Sequence, residues 1–139
     1  MKLVINKCYG GFGLSYAGMM AYAKLAGIKL YAYVNKRDSA GNMDFNVLEE
    51  YDGKSKAFFV RYATAPLQPD GQLPDGAYFS DGEIDRADPH LIAAVKKLGN
   101  SANAQHAKLK IVTIPNGVDW QIEEYDGQES VAEKHRTWG

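Results

Sequence analysis

Residues 3–15, Leu-Val-Ile-Asn-Lys-Cys-Tyr-Gly-Gly-Phe-Gly-Leu-Ser, carry the strongest functional hint in this chain. Gly10, Gly11 and Gly13 form a loop between an apolar run (Leu3, Val4, Ile5) that reads as a buried strand and Ser15, a good helix N-cap. The unpaired N–H groups of such a loop, with the positive end of a helix dipole behind them, favour an anion, phosphate above all. Lys7 adds a cation at the carboxyl end of the first strand, where open α/β sheets place ligands. Tyr9 and Phe12 add aromatic surface on which a base could stack. The spacing matches neither the dinucleotide fingerprint nor the Walker loop, because Gly-x-Gly-x-x-Gly and a closing Gly-Lys-Ser/Thr are both missing. The same glycines would also serve a tight strand-to-helix connection with no ligand, through their access to positive φ.

The end of the chain brings a second set of groups. His135 could donate a hydrogen bond, Arg136 could clamp a phosphate bidentately, and Trp138 could stack on a base. The other reading is that Trp138 tucks the tail onto the core or onto a neighbouring subunit. If the tail returns to the loop, the candidate ligand site comprises Lys7, Tyr9, Gly10, Gly11, Phe12, Gly13, Ser15, His135, Arg136 and Trp138. Cys8 reads first as a small buried hydrophobe, since the sequence locates no base to activate a thiolate. Asp81, Glu83 and Asp85 alternate, so an extended backbone would put their carboxylates on one face, as a magnesium or calcium site requires. The same acids, with Asp88, equally suit a solvated loop feeding a helix N-terminus. His90, His106 and His135 are scattered and show no zinc-ligand spacing.

Several elements must hold these groups. Ala17, Met20, Ala21, Lys24 and Leu25 recur at helical spacing until Gly27. Ile28, Leu30, Ala32 and Val34 then alternate with Lys29, Tyr31 and Tyr33, which predicts a strand with one apolar and one aromatic face. Strand, helix and strand predict a βαβ unit over residues 2–34 with its two strands parallel. Residues 45–51 and 57–63 flank Asp52-Gly53-Lys54-Ser55 and read as a hairpin by that turn. Residues 64–83, with Pro66, Pro69 and Pro74, form a long irregular excursion pinned by Tyr78 and Phe79. Asp88 as N-cap, Pro89 at the first helical position and Leu91, Ile92, Val95 and Leu98 predict a second helix over 89–98, with Ala102 continuing its stripe. Residues 109–114 read as a further strand, and residues 120–125 and 128–134 surround Asp126-Gly127 as a terminal hairpin. The expected class is therefore α/β, with antiparallel hairpins completing a mixed sheet. Glu-Glu-Tyr-Asp-Gly occurs at residues 49–53 and again at 123–127, which is either a duplicated unit with paired sites or the same turn chemistry used twice.

Global properties bound the function. A chain of 139 residues, 45% hydrophobic, fits one globular domain over 1–139, which at this length buries about two thirds of its unfolded surface without help from a metal or disulfide. A formal net charge of -1 argues against general nucleic-acid binding through a basic face. The single cysteine cannot form an intramolecular disulfide and suits a reducing cytosol. No apolar run approaches the roughly 20 residues of a membrane helix, and the first residues lead straight into a strand, so no membrane partner and no signal peptide are expected. No cofactor is implied.

Two long stretches carry a resemblance. Asn6-Lys7-Cys8-Tyr9-Gly10-Gly11-Phe12-Gly13-Leu14-Ser15 resembles the start of a family of small uncharacterised proteins met chiefly in tailed bacteriophages and prophages. Ile114-Pro115-Asn116-Gly117-Val118-Asp119-Trp120-Gln121-Ile122-Glu123-Glu124-Tyr125-Asp126-Gly127, continuing through Val131-Ala132-Glu133-Lys134-His135-Arg136-Thr137-Trp138, resembles its end. The likeness is weaker over the Asp88-Pro89 helix, and residues 35–80 look variable within the family. Gln128-Glu129-Ser130 departs from the family form, in which an aromatic often follows the acidic residue. The resemblance implies a phage setting, the cytoplasm of an infected bacterium, and no catalytic residues. In that setting the expected role is sequestration of a phosphate-containing small molecule, a nucleotide signal of host immunity. The alternatives are a hydrolase of such a molecule, using Asp81, Glu83 or Asp85 with a divalent metal or His135 as general acid or base, and a protein-binding inhibitor or virion accessory. Binding ranks above catalysis because no nucleophile–base pair and no metal-ligand set emerges. A homo-oligomer, most simply a dimer, is expected from the amphipathic surface of Tyr31, Tyr33 and Trp138.

Overall fold

A computed structural model describes residues 1–57 and 59–134 of the chain. In chain order the strands are β1 (Lys2–Asn6), β2 (Tyr31–Arg37), β3 (Met43–Glu50), β4 (Arg61–Ala63), β5 (Tyr78–Phe79), β6 (Leu109–Thr113), β7 (Trp120–Tyr125) and β8 (Gln128–Glu133). The helices are α1 (Tyr16–Ala26) and α2 (Pro89–Leu98). The class is mixed α/β, as expected, with two helices and antiparallel sheets. The chain forms two compact units, one of Met1–Ala26 with the chain from Ile84 onward and one of Gly27–Glu83.

In the first unit β1 pairs antiparallel with β6, Leu3 facing Val112 and Asn6 facing Leu109. The strand–helix–strand order over residues 2–34 is present, but the parallel pairing expected of it is not. β2 belongs to another sheet, and every strand pairing among the described residues is antiparallel. The chemistry of β2 explains this. Strands of a parallel sheet are near-continuous apolar runs buried on both faces, which Leu3, Val4 and Ile5 satisfy and Asn35, Lys36 and Arg37 do not.

Helix α2 follows its sequence signals. The Asp88 carboxylate accepts from the His90 N–H at 2.8 Å, Pro89 occupies the first turn, and Leu91, Ala94 and Val95 are buried. Gly99, at φ 56, ends it, and the chain continues as a short 3-10 turn, Gly99–Ala102. Helix α1 is rotated from the expected stripe and buries Gly18, Met19, Tyr22 and Ala23. Two contacts set that rotation. A Cβ on Gly18 would come within 2.9 Å of the Ala102 carbonyl oxygen, and the Tyr22 hydroxyl donates to Asp88 Oδ2 at 2.8 Å. Burial, then the hydrogen bond to Asp88 and its charge, push the Tyr22 phenol up to about 12.

In the second unit the strand order is β3-β2-β4-β5. The hairpin expected from residues 45–51 and 57–63 does not form, because β3 and β4 lie on opposite sides of β2. Asp52 turns its carboxylate onto the N–H groups of Lys54 and Ser55, both at 2.8 Å, a local side-chain turn in place of a two-residue hairpin turn. Tyr33, Ala63 and Ala77 form the core here, with Tyr31, Leu48, Ala65, Leu67 and Leu73 packed on it. Tyr33 is only 6% exposed, and its hydroxyl accepts from the Leu67 N–H at 3.2 Å. Of the expected aromatic face, Tyr33 is thus packed within the unit's own core, Tyr31 is half-buried beside it, and Lys29 is exposed. Among the described residues no helix is long and apolar enough to cross a membrane.

Candidate functional site

The site grows from the two edges of β1. On a strand, N–H groups alternate between edges. Those of one set face β6, and Lys7 N–H continues that pairing to the Lys108 carbonyl at 2.8 Å. Among the described residues no strand pairs with the opposite edge. Val4 N–H donates to the Arg86 carbonyl at 2.9 Å, and Asn6 N–H to Glu129 Oε1 at 2.8 Å. A carboxylate on β8 therefore closes the open edge of β1.

That carboxylate is nearly buried, at 5% exposure for Glu129, and its charge is balanced by Arg86. Nη1 and Nη2 of Arg86 reach Oε1 and Oε2 at 2.6 and 2.9 Å, the bidentate geometry that makes such pairs strong. The guanidinium also lies 3.6 Å from the Phe12 ring centroid, so the aromatic residue of the glycine loop caps the ion pair. Asn6, fully buried, uses its whole hydrogen-bonding capacity. Nδ2 donates to the carbonyls of Cys8 and Gly127 at 2.6 and 2.7 Å. Oδ1 accepts from the N–H groups of Cys8 and Lys108 at 3.2 and 2.8 Å.

These bonds seat the β7–β8 turn on the glycine loop. Gly127, at φ 88, has no room for a side chain: a Cβ would strike the Tyr9 carbonyl oxygen and come within 2.6 Å of the Gly11 nitrogen. Gly10 is equally confined, since a Cβ there would overlap the backbone carbonyl of His106. Gly13 accepts through its carbonyl from Ala104 N–H at 3.1 Å. Ser15 acts as the expected N-cap, its Oγ accepting from Gly18 N–H at 3.1 Å. Its own N–H, however, is taken by the Ala102 carbonyl at 2.9 Å. Among the described residues no protein acceptor meets the N–H groups of Tyr9, Gly10, Phe12 or Gly13. Tyr9 is 61% exposed at the loop's surface.

Beside the loop lies an open cleft of about 320 Å³, lined by Lys7, Glu123, Glu124, Tyr125, Gln128, Glu129 and Ser130. Among the described residues Lys7 is its one cation, exposed, with Nζ at 3.4 Å from the Glu129 carbonyl oxygen. Glu124 Oε1 accepts from the Gly127 N–H at 3.2 Å, and Tyr125 is 77% exposed.

Lys7, Tyr9, Gly10, Gly11, Phe12, Gly13 and Ser15 are therefore one connected segment, and the hairpin turn rests on it. His135, Arg136 and Trp138 lie outside the described residues. The acidic run does not converge. Glu83 Oε2 accepts from Ser80 N–H at 2.7 Å, Asp85 Oδ1 from Ala87 N–H at 2.8 Å, and Asp88 caps α2. Among the described residues no group of three or more His, Cys, Asp or Glu side chains could hold a metal ion. Sequence reasoning passed over Asn6, Arg86 and Glu129. Arg86 had one signal, being the lone cation in the acidic stretch 81–88; Asn6 and Glu129 had none, because the bond that joins them spans 123 residues and Arg86 lies 43 residues from Glu129. No protein-family model matches the chain, nor does any curated protein or solved structure.

Proposed function

We propose that this chain is a non-catalytic binding protein that captures a phosphate-containing small molecule at the glycine loop and the adjoining cleft. The observation that carries this reading is that, among the described residues, no protein acceptor meets the N–H groups of Tyr9, Gly10, Phe12 and Gly13, in the loop that follows the exposed Lys7. Backbone donors and a cation are what a phosphate needs, and no nucleophile or base is required. The cleft narrows the ligand class. Its exposed carboxylates, Glu123 and Glu124, repel a phosphate but accept hydrogen bonds from ribose hydroxyls or a base amino group, and Tyr9 and Tyr125 offer flat apolar faces. The ligand is thus a nucleotide with its phosphate at the loop and its sugar or base toward the cleft. The resemblance to a phage and prophage family supports a role in the cytoplasm of an infected bacterium, where the captured molecule is a nucleotide signal of host immunity.

The test is to incubate the chain with cyclic nucleotides and cyclic ADP-ribose isomers, remove free ligand, heat-denature and chromatograph what is released. An intact nucleotide is the expected outcome. A new product would instead make the chain a hydrolase, and no depletion of any member would leave the protein-binding class. Lys7→Ala should weaken the retained ligand by roughly 1 to 3 kcal/mol, the range of a charge-assisted hydrogen bond, and Lys7→Arg should recover part of it.

A further inference from the structure

The second unit has a pocket of its own, about 240 Å³, whose walls include Val34, Arg37, Met43, Glu49, Lys56 and Phe59. The pairing of β2 with β3 is irregular beside it. Val34 pairs with Glu49 and Asn35 with Leu48, and then the register slips so that Arg37 meets Met43. The step from Asn35 to Arg37 on β2 spans the longer step from Leu48 to Met43 on β3, so the extra residues lie on β3, and Val34, Asn35 and Arg37 all line the pocket.

The guanidinium is also held in place. Arg37 Nη1 donates to the Gly41 carbonyl at 2.9 Å. Gly41 sits in a turn fixed by Asp38, whose Oδ1 accepts from Ala40 and Asn42 at 3.0 and 2.8 Å. A cation positioned in advance loses less freedom on binding. Arg37 and Lys56 face one acid, Glu49, and among the described residues neither cation is in an ion pair. The lining is thus net positive on a chain whose formal charge is -1. Phe59, 57% exposed, supplies a ring face, and Met43 a polarizable flank.

We propose that this pocket is a second ligand site, for a small phosphate monoester carried on a flat ring. The phosphate reaches Arg37 and Lys56, and the ring lies against Phe59. The site stands independently of the glycine loop, since it shares no residue with it.

The test is a 1H–15N NMR titration of the full chain with AMP and, separately, with neutral adenosine. AMP should shift the resonances of Arg37, Lys56 and Phe59, and adenosine should do so at least tenfold more weakly. Arg37→Ala and Lys56→Glu should each raise the apparent Kd at those resonances at least tenfold, and Arg37→Lys should recover part of the loss. Lys56 is exposed, so its variant reads binding even if Arg37→Ala disturbs the turn. Equal shifts with adenosine, or an unchanged Kd in Lys56→Glu, would overturn the proposal. Shifts confined to residues 7–15 would also overturn it, while leaving the glycine-loop reading standing. Shifts at neither place would remove both for this nucleotide.

Discussion

Glu-Glu-Tyr-Asp-Gly appears twice in this chain, and its two copies fold differently. At 49–53 the glutamates finish β3, and Asp52 then closes on Lys54 and Ser55. The chain leaves the sheet, and the next strand, β4, joins β2. At 123–127 Asp126 and Gly127 both take left-handed backbone, φ 48 and 88, the pattern of a two-residue hairpin turn whose twist suits its strands. There β7 and β8 pair directly from Trp120–Glu133 to Tyr125–Gln128. The duplicated-unit reading is therefore set aside. The residues just beyond each copy decide its fate. Lys54 and Ser55 offer Asp52 two N–H groups and a hydroxyl, whereas Gln128 and Glu129 begin a strand whose carboxylate is gripped by Arg86 and Asn6.

The largest effect is expected from Glu129→Ala. It removes the group that closes β1 and leaves the Arg86 guanidinium, with 19% of its side chain exposed, without its counter-charge. Breaking one partner of a buried pair costs about 3 to 5 kcal/mol, and urea denaturation of the variant should show a loss of that size. A loss below about 1 kcal/mol, the scale of a surface pair, would mean that the turn residues alone fold the second copy and that its partners are incidental.

The two glycines give the next contrast. Gly127→Ala combines a left-handed backbone with overlap on the Tyr9 carbonyl and should cost about 3 kcal/mol or more. Gly53 has φ 75, so Gly53→Ala should cost about 1 to 2 kcal/mol for the backbone alone. Only the first change should also lower ligand retention, because only Gly127 seats the hairpin on the loop. Equal costs would show that the close approach of Gly127 to Tyr9 and Gly11 does not constrain the chain.

The same contrast shows what a sequence reveals. Asp88-Pro89 with its apolar stripe, the Asp126-Gly127 hairpin and the Ser15 cap are signals contained within a few residues, and each was legible. The partners of β1 and β2 were not, because pairing depends on groups far apart in the chain. Leu3–Ile5 can be recognised as buried, yet nothing local says that β6 will lie on one edge and a glutamate on the other. The glycine loop was legible as a connection with spare N–H groups. Its support was not, since Asn6 is unremarkable in composition and acts through the carbonyls of Cys8 and Gly127. Helix α1 was legible as a helix but not in its facing, which depends on Gly18 meeting Ala102 and Tyr22 meeting Asp88.

The smallest expected effect concerns the first copy alone. The Asp52 carboxyl is fully exposed, yet it is held below its ordinary value of 3.8, first by the Ser55 N–H, then by the Lys54 N–H and the Ser55 hydroxyl. A carboxyl lowered in the folded chain stabilises that chain at pH above its unfolded value. The contribution disappears as pH falls through the folded value, so the window lies on the acid side of 3.8. An NMR titration of the Asp52 carboxyl carbon should place its midpoint below that of a model aspartate. Asp52→Asn should remove this component of the acid dependence while leaving the β7–β8 turn unchanged. A midpoint at or above 3.8 would mean that the carboxylate does not hold Lys54 and Ser55, and the first copy would then lack the local bonds that keep it from the hairpin its sequence shares with the second.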